Sequence, residues 1–353
     1  MLDQSESLKS ETEENSKNSM TKELVRVENL KKYFPVQSGF LASLLNKGHI
    51  PSVKAVDDVT FSIYKGEVLG LAGESGSGKS TVGRLVLRLY DATEGNVIFD
   101  GINLKDLSSE EMRRLRSRMQ VVFQDPLASL NPRMTIGQAI EHPAQIHLPE
   151  LSTEERRQRV MDILEAVKMV PPSAYYDLYP HQISGGQRQR IVLARALVTH
   201  PDLIVADEPI AMADVSVRAL LLDLMMDIKD QFDLTYLFIT HDLATAKYVC
   251  DRIAIMYLGK LAEIGPLKDV YENHGHPYTR ALLEAVPVPD PRFRRTETMP
   301  SGEIPNAIDP PSGCRFHPRC PIARPNCAVD VPPLRELRPG HFIACHYAED
   351  LLN

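Results

Sequence analysis

The sequence predicts an α/β fold, and three stretches carry that prediction. Val68 to Ala72 is a short apolar run that reads as a buried strand; a glycine-rich turn and a helix-permissive run from Lys79 to Leu89 follow it. Leu203 to Ala206 is a second buried strand, closed by Asp207-Glu208-Pro209 and followed by a strongly apolar helix from Val215 to Phe232. Thr235 to Thr240 is a third core strand, ending at His241-Asp242. Apolar strands alternating with helices are the pattern of an α/β architecture.

The turn after the first strand reads Gly73-x-x-x-x-Gly78-Lys79-Ser80, the Walker A pattern in the strand-to-helix setting it requires. Glycines let the backbone turn tightly and aim successive N–H groups at a phosphate, and the positive end of the next helix adds to that field. The Lys79 amine can reach the β- and γ-phosphates of a nucleotide, and the Ser80 hydroxyl can ligate Mg²⁺. The second strand ends in two carboxylates, the Walker B pattern. Asp207 would hold the Mg²⁺ shell and Glu208 would polarise an attacking water.

Composition bounds the rest. A chain of 353 residues holds one large domain plus a small one, or two domains. Hydrophobic content of 43% and charged content of 25% are ordinary for a globular protein, and no apolar run approaches a membrane span. The polar opening stretch has no signal-peptide character, which predicts a cytoplasmic location. A net charge of −7 argues against duplex nucleic acid as the main partner. There is no internal repeat and one Walker A, so the chain carries one nucleotide site of its own.

Taken in order, residues 1–22 are polar and predicted disordered. A strand begins at Leu24 to Val27, and residues 36–52 read as an extended hairpin loop with an apolar clump at 40–45. Val53 to Ile63 alternates as strand, with a turn at Lys65-Gly66. Val97 to Asp100 is a strand ending at Gly101. Ser108 to Arg118 is an exposed helix with Ser108-x-x-Glu111 as a capping box, and Met119 to Phe123 is an apolar run ending in Gln124-Asp125-Pro126. Met134 to Val170 is helical in pattern, with Val160, Ile163, Leu164 and Val167 on one face. Ile253 to Tyr257 and Lys260 to Ile264 read as a terminal hairpin around Leu258-Gly259. Beyond Pro266 the composition shifts, since more than half of the 26 prolines lie there. Two short helices, Leu267 to Glu272 and Tyr278 to Ala285, precede a proline-rich connector and a cysteine cluster.

Ile183-Ser184-Gly185-Gly186-Gln187 opens a helix, so Ser184 and the two glycines sit where backbone donors favour an anion. This run resembles the signature sequence of ABC-type ATPases. The resemblance implies a RecA-like P-loop NTPase core with an antiparallel β subdomain and an α-helical subdomain, about 126–195, in an ATPase domain spanning 23–265. It implies an ATP site lined by Gly73, Ser75, Gly76, Gly78, Lys79, Ser80 and Thr81, with Phe34 stacking on adenine and Tyr33 as the alternative. Gln124 matches the Q-loop, which senses the metal beside Ser80 and Asp207. Asp214 matches the D-loop aspartate, and His241 matches the switch histidine at the γ-phosphate. Walker A and signature lie at opposite ends of the domain in this family, so two domains meet head to tail. Each ATP is then buried between one Walker A and the other chain's Ser184, Gly185, Gly186 and Gln187.

Gln124-Asp-Pro-Leu-Ala-Ser-Leu-Asn-Pro-Arg133 and His276-Pro-Tyr-Thr-Arg-Ala-Leu-Leu283 are similar to the F-type ATP-binding subunits of dipeptide/oligopeptide importers. That resemblance, over Leu24 to His346, implies two transmembrane permease subunits, a second ATPase subunit in a heterodimer or homodimer, and an extracellular solute-binding protein. It implies a peripheral place on the cytoplasmic face of the membrane and no nucleic acid partner. Related subunits also energise oligosaccharide uptake, which stays open here, as does a soluble non-transport ABC ATPase. Ile183 stands where the family has Leu. Ala211 stands where it has Ser, removing a hydroxyl that would face the partner's nucleotide, which predicts two unequal ATP sites.

Four of the five cysteines fall near the end, as Cys314-x₅-Cys320-x₆-Cys327-x₁₇-Cys345. In a chain without a secretory signal such clustering favours metal over disulfide, and four thiolates bind an iron–sulfur cluster or zinc. The tight Cys-x₂-Cys pairs of zinc ribbons are missing. The importer resemblance implies a [4Fe–4S] cluster, with Zn²⁺ the alternative, in a small cysteine-rich tail at 312–353 joined by the connector 266–311.

Overall fold

The computed structural model describes residues 22–36, 51–286, 303 and 305–352, without the side chains of Val215 and Ser216. The apolar clump at 40–45, the polar tail up to residue 21 and most of the proline-rich connector lie outside the described residues.

In chain order the strands are β1 (Glu23–Pro35), β2 (Ser52–Tyr64), β3 (Val68–Ala72), β4 (Glu94–Phe99), β5 (Ile102–Asn103), β6 (Met119–Val122), β7 (Leu203–Asp207), β8 (Thr235–Thr240), β9 (Arg252–Tyr257), β10 (Lys260–Pro266), β11 (Arg335–Arg338) and β12 (His341–Ile343). The helices are α1 (Lys79–Val86), α2 (Ser109–Leu115), α3 (Pro126–Ser129), α4 (Ile136–His147), α5 (Thr153–Ala166), α6 (Ser173–Tyr176), α7 (Gly185–Leu197), α8 (Val215–Phe232), α9 (Leu243–Val249), α10 (Leu267–Glu272) and α11 (Pro277–Ala285). The three strands that predict the fold class are present as β3, β7 and β8, and every residue in them is buried. Large apolar side chains so placed each contribute about 1.5–3 kcal/mol of transfer free energy.

The chain divides into two compact units. One comprises Met1–Val25, Ile63–Val68 and Asp106–Phe238. In it β6 and β7 pair in parallel, from Met119 opposite Leu203 to Val122 opposite Ala206. Helix α2 starts at the predicted capping box: the Ser108 amide donates to the Glu111 carboxylate at 2.8 Å, and the Glu111 amide donates to the Ser108 hydroxyl at 3.3 Å. Helix α4 packs on α5, α6 and α7. Ile136, Ile140, Val160, Ile163, Leu164 and Ile191 are buried there, including the predicted apolar face of α5. The long helical pattern from Met134 to Val170 is two helices. Pro149 disfavours helical backbone at Leu148, where φ and ψ are −127° and 57°, and Ser152 with Glu155 starts a new capping box.

The other unit comprises Arg26–Ser62, Leu69–Lys105 and Ile239–Asn353. A four-stranded sheet runs β2-β1-β4-β5, with β4 and β5 antiparallel, over the stretch where the resemblance implies an antiparallel subdomain. The predicted strand at Val97 is β4, and its turn at Asp100-Gly101 leads into β5. In the second sheet β3 pairs with β9 in parallel, and β9 with β10, β10 with β12 and β12 with β11 pair antiparallel. The last two strands differ from the expectation for the tail. Residues 335–343 form a hairpin that adds to the sheet, with Ile343 opposite Glu263, instead of a loop with little core. Ile343, Cys345 and Ala348 make a small buried cluster against Leu337, Tyr347 and Leu352.

A fully buried carboxylate anchors that hairpin. Glu263 accepts from the Gly275 amide at 3.0 Å and the His276 amide at 3.2 Å, and its Oε1 lies 2.7 Å from His341 Nε2. Both Glu263 and His341 are shielded from solvent, so the pairing offsets a desolvation cost of several kcal/mol. His276 is buried beside them and caps α11, its Nδ1 accepting from the Tyr278 amide at 3.0 Å. Burial pushes its pKa from the ordinary 6.5 down to about 4, against the opposing pull of Glu263. The unfolded chain therefore binds more protons here between those values, and stability falls as pH drops through that window. His276→Asn keeps a capping acceptor that does not titrate. Its melting temperature should fall less between pH ~6.5 and ~5 than that of the parent chain; parallel curves would contradict this.

Candidate functional site

The phosphate loop lies between β3 and α1. Gly73 and Gly78 have φ of +149° and +107°, and a Cβ on either would come within 2.1 Å of a carbonyl oxygen, of Met256 and Ala55 respectively. No side chain fits at those two points, so the backbone closes tightly against β9 and β2. Gly76, at φ +78°, opens into free space, and Ser75 and Gly76 are exposed. Lys79 is buried, and its ammonium donates to the carbonyls of Gly73 at 2.8 Å and Glu74 at 2.9 Å. The charge is thus already folded back over the loop. Ser77 is a buried loop residue that the motif does not single out; its carbonyl accepts from the Gly259 amide at 2.9 Å. Ser80 and Thr81 follow on the first turn of α1, partly exposed.

Glu74 is the most engaged residue of this loop. Its amide donates to the Tyr278 hydroxyl at 2.8 Å, and its carboxylate takes a forked contact from Arg319 at 3.0 and 3.3 Å. On β1 the Phe34 ring meets Tyr90 edge-on at 5.6 Å, with the Lys32 ammonium 5.1 Å from its centroid. The Tyr33 hydroxyl is committed to the Asp57 carboxylate, which also pairs with Arg315. His241 follows the end of β8 and is exposed; Asp242 beside it caps α9, a short helix the sequence reading missed.

The other unit holds the remaining site residues. Gln124 and Glu208 follow the ends of the paired strands β6 and β7, and the Gln124 amide nitrogen donates to the Glu208 carboxylate at 3.1 Å. The carboxyl ends of strands are where open α/β sheets bind ligands. Glu208 has φ +51°, a left-handed backbone uncommon for a residue with a Cβ. Nothing local in the sequence foretells it. Asp207 is buried at the end of β7. Ser184 is the N-cap of α7 in a reciprocal capping box with Gln187: the Gln187 amide donates to its hydroxyl at 3.3 Å and its own amide donates to the Gln187 side chain at 2.9 Å. Ser184 and Gly185 are exposed, a Cβ at Gly185 would meet nothing within 4 Å, and one at Gly186 would lie 3.0 Å from Val217. Asp214 occupies the N-cap of α8, without a side-chain cap bond, and its carbonyl accepts from Val217 and Arg218 at 2.9 Å. Gln189, not singled out by the sequence, is buried and donates to the Pro209 carbonyl at 3.2 Å.

Cys314, Cys320, Cys327 and Cys345 line one small cavity of about 10 Å³, roughly a single water in size. Burial pushes the thiols of Cys314, Cys320 and Cys345 up to about 11, so they are protonated at neutral pH. Among the described residues no group of three or more His, Cys, Asp or Glu side chains is arranged to hold a metal ion, so neither the cluster nor the zinc alternative finds a formed site. Four thiols are a donor set for either an iron–sulfur cluster or zinc, and the space between them is too small for a cluster unless the thiols part.

Comparison with known proteins agrees with these motifs. The ABC transporter family model matches residues 56–211, and that for the C-terminal region of oligopeptide/dipeptide transporters matches residues 262–327. AppF of Bacillus subtilis, named as an oligopeptide transport ATP-binding protein, is 46% identical over 326 residues, 92% of this chain and 97% of AppF. A Brucella ovis protein carrying a peptide import ATP-binding name is 50% identical over 295 residues, 83% of this chain and 92% of its own. Among solved structures, the ATP-binding cassette MJ0796, a dimer in a post-hydrolysis state with ADP and Pi, is similar at TM-score 0.60 and 28% identity. That match covers 69% of this chain and 99% of MJ0796. cbiO1 of Clostridium perfringens, part of the ABC transporter complex cbiONQ, is similar at TM-score 0.60 and 25% identity, over 72% of this chain and 92% of its own. Phosphate loop, paired strand-end acids and capped signature helix thus sit in a chain nearly coextensive with AppF: it belongs to the ABC transporter family, among the ATP-binding subunits of oligopeptide/dipeptide transporters.

Proposed function

We propose that this chain hydrolyses ATP to energise import of di- and oligopeptides, as one of two ATPase subunits that close head to tail. The observation that carries the reading is the N-terminus of α7. Ser184 and Gly185 are exposed at the start of a capped helix, a second anion-binding end in a chain whose Walker A loop already provides one. The dimeric MJ0796 cassette and the peptide-import names of the relatives support the same reading.

Each residue then has a task. The Lys79 ammonium shifts from the Gly73 and Glu74 carbonyls to phosphate oxygens, and the amides of residues 75–81 surround them. Ser80, Asp207 and Gln124 are read as the residues that would hold Mg²⁺, and the ion would supply charge neutralisation at the phosphates. Glu208 accepts a proton from the attacking water, with Gln124 hydrogen-bonded to it. His241 faces the γ-phosphate, Phe34 stacks on the adenine, and Asp214 lies at the junction with the partner subunit. Among the described residues no helix is long and apolar enough to cross a membrane. We assign translocation to two permease subunits fed by an extracellular solute-binding protein, with this chain peripheral on the cytoplasmic face. Residues 23–265 are read as the ATPase domain, 266–311 as connector and 312–353 as the cysteine-bearing tail.

The four tail cysteines are read as ligands of a [4Fe–4S] cluster. The four thiols line one cavity, the donor number a cluster takes, and housing one would require these side chains to part from around a space the size of a single water. Metal binding would take them as thiolates, reversing the effect of burial.

Glu208→Gln should lower ATP turnover by on the order of 10²–10⁴ while ATP binding is retained; turnover equal to that of the parent would remove Glu208 as the base. Chain purified without oxygen should contain about four irons and absorb broadly in the visible, and Cys320→Ser should lose both. An iron-free, colourless preparation would sink the cluster reading.

A further inference from the structure

We infer that Arg319 and Tyr278 are positioning residues for the Walker A loop, acting through Glu74. Every polar group of Glu74 is engaged. Its amide donates to the Tyr278 hydroxyl at 2.8 Å. Its carbonyl accepts from the Lys79 ammonium at 2.9 Å and the Ser77 amide at 3.2 Å. Its carboxylate receives both terminal nitrogens of Arg319. Glu74 follows the crowded Gly73 directly, so its orientation sets where the amides of residues 75–78 point.

The clasp is built into the interior. The Arg319 side chain is 7% exposed and that of Glu74 is 17% exposed. Arg319 also donates to the Tyr257 hydroxyl at 3.4 Å, and its guanidinium lies 5.8 Å from the Phe316 centroid. Tyr278 is buried and packs on Tyr257 at 4.6 Å between centroids. A planar guanidinium among aromatic rings, forked on one carboxylate, is a rigid element. Both Tyr278 and Arg319 come from the stretch that matches the oligopeptide/dipeptide transporter C-terminal region.

There is also an electrostatic reason. A glutamate in a loop that takes a polyanion repels its own ligand. A buried guanidinium on that carboxylate cancels the repulsion and holds the loop in shape. Without Arg319 the loop keeps a negative charge beside the phosphates, whereas Glu74→Gln removes the charge that Arg319 answers. The inference rests on ATP occupying the Walker A loop.

The test is equilibrium binding of MgATP to the full-length chain by calorimetry. Arg319→Ala should weaken binding on the order of tenfold and Arg319→Lys less, since a lysine keeps the charge but not the fork. In a Glu74→Gln chain, Arg319→Ala should add almost nothing. Arg324→Ala, which breaks an exposed pair with Asp350, should leave binding at the parent value. Should Arg319→Ala not fold, Tyr278→Phe, which removes only the acceptor of the Glu74 amide, should still weaken binding severalfold. Parent-like affinity in these variants overturns the proposal, as does a loss from Arg319→Ala that is equally large with and without Glu74→Gln. A parent chain that does not bind MgATP overturns the ATP-site reading and this one with it.

Discussion

A phosphate site made from backbone N–H groups tolerates no side chain where the loop turns back on itself. That steric constraint fixes much of the unit around it. Gly73 presses on the Met256 carbonyl of β9 and Gly78 on the Ala55 carbonyl of β2, so the loop is held between two strands as well as by its own sequence. The Ser77 carbonyl closes the contact through the Gly259 amide at the β9–β10 turn. Lys79 satisfies the carbonyls of Gly73 and Glu74. A cradle of this kind surrounds phosphates from one side only, which is why the exposed start of α7 matters to the proposed pairing, where it would offer the same chemistry to a nucleotide bound on another chain.

The tail shares this economy of placement. Two of its arginines sit beside cysteines, Arg315 next to Cys314 and Arg319 next to Cys320. They pair with Asp57, which holds Tyr33, and with Glu74 of the phosphate loop. The β11–β12 hairpin is fixed separately, by strand pairing to β10 and by the buried Glu263–His341 contact.

The features legible in the sequence are those whose cause is local. The bounds of β3, α8 and β8 match their apolar runs, and the capping box at Ser108 is spelled out by residues three apart. The Walker A, Walker B and signature residues are likewise contiguous. What escaped has distant or subtle causes. The helical run after Met134 hides a break marked by Pro149 and the Ser152–Glu155 capping box, and Pro143 is tolerated inside α4 a few residues before it. The strands β11 and β12 are four and three residues long, and β12 pairs with β10, some eighty residues earlier in the chain, so no period reveals them. The left-handed backbone of Glu208, its bond to Gln124 and the Arg319–Glu74 clasp are products of tertiary packing.

The central claim is that ATP turnover needs two chains, one giving the Walker A loop and the other the Ser184–Gly186 turn. Turnover per chain measured across a dilution series tests it most directly, in the parent and in Ser184→Phe. The account predicts a rate that falls on dilution in the parent and is lost in the variant. A rate independent of concentration that survives the substitution would contradict it.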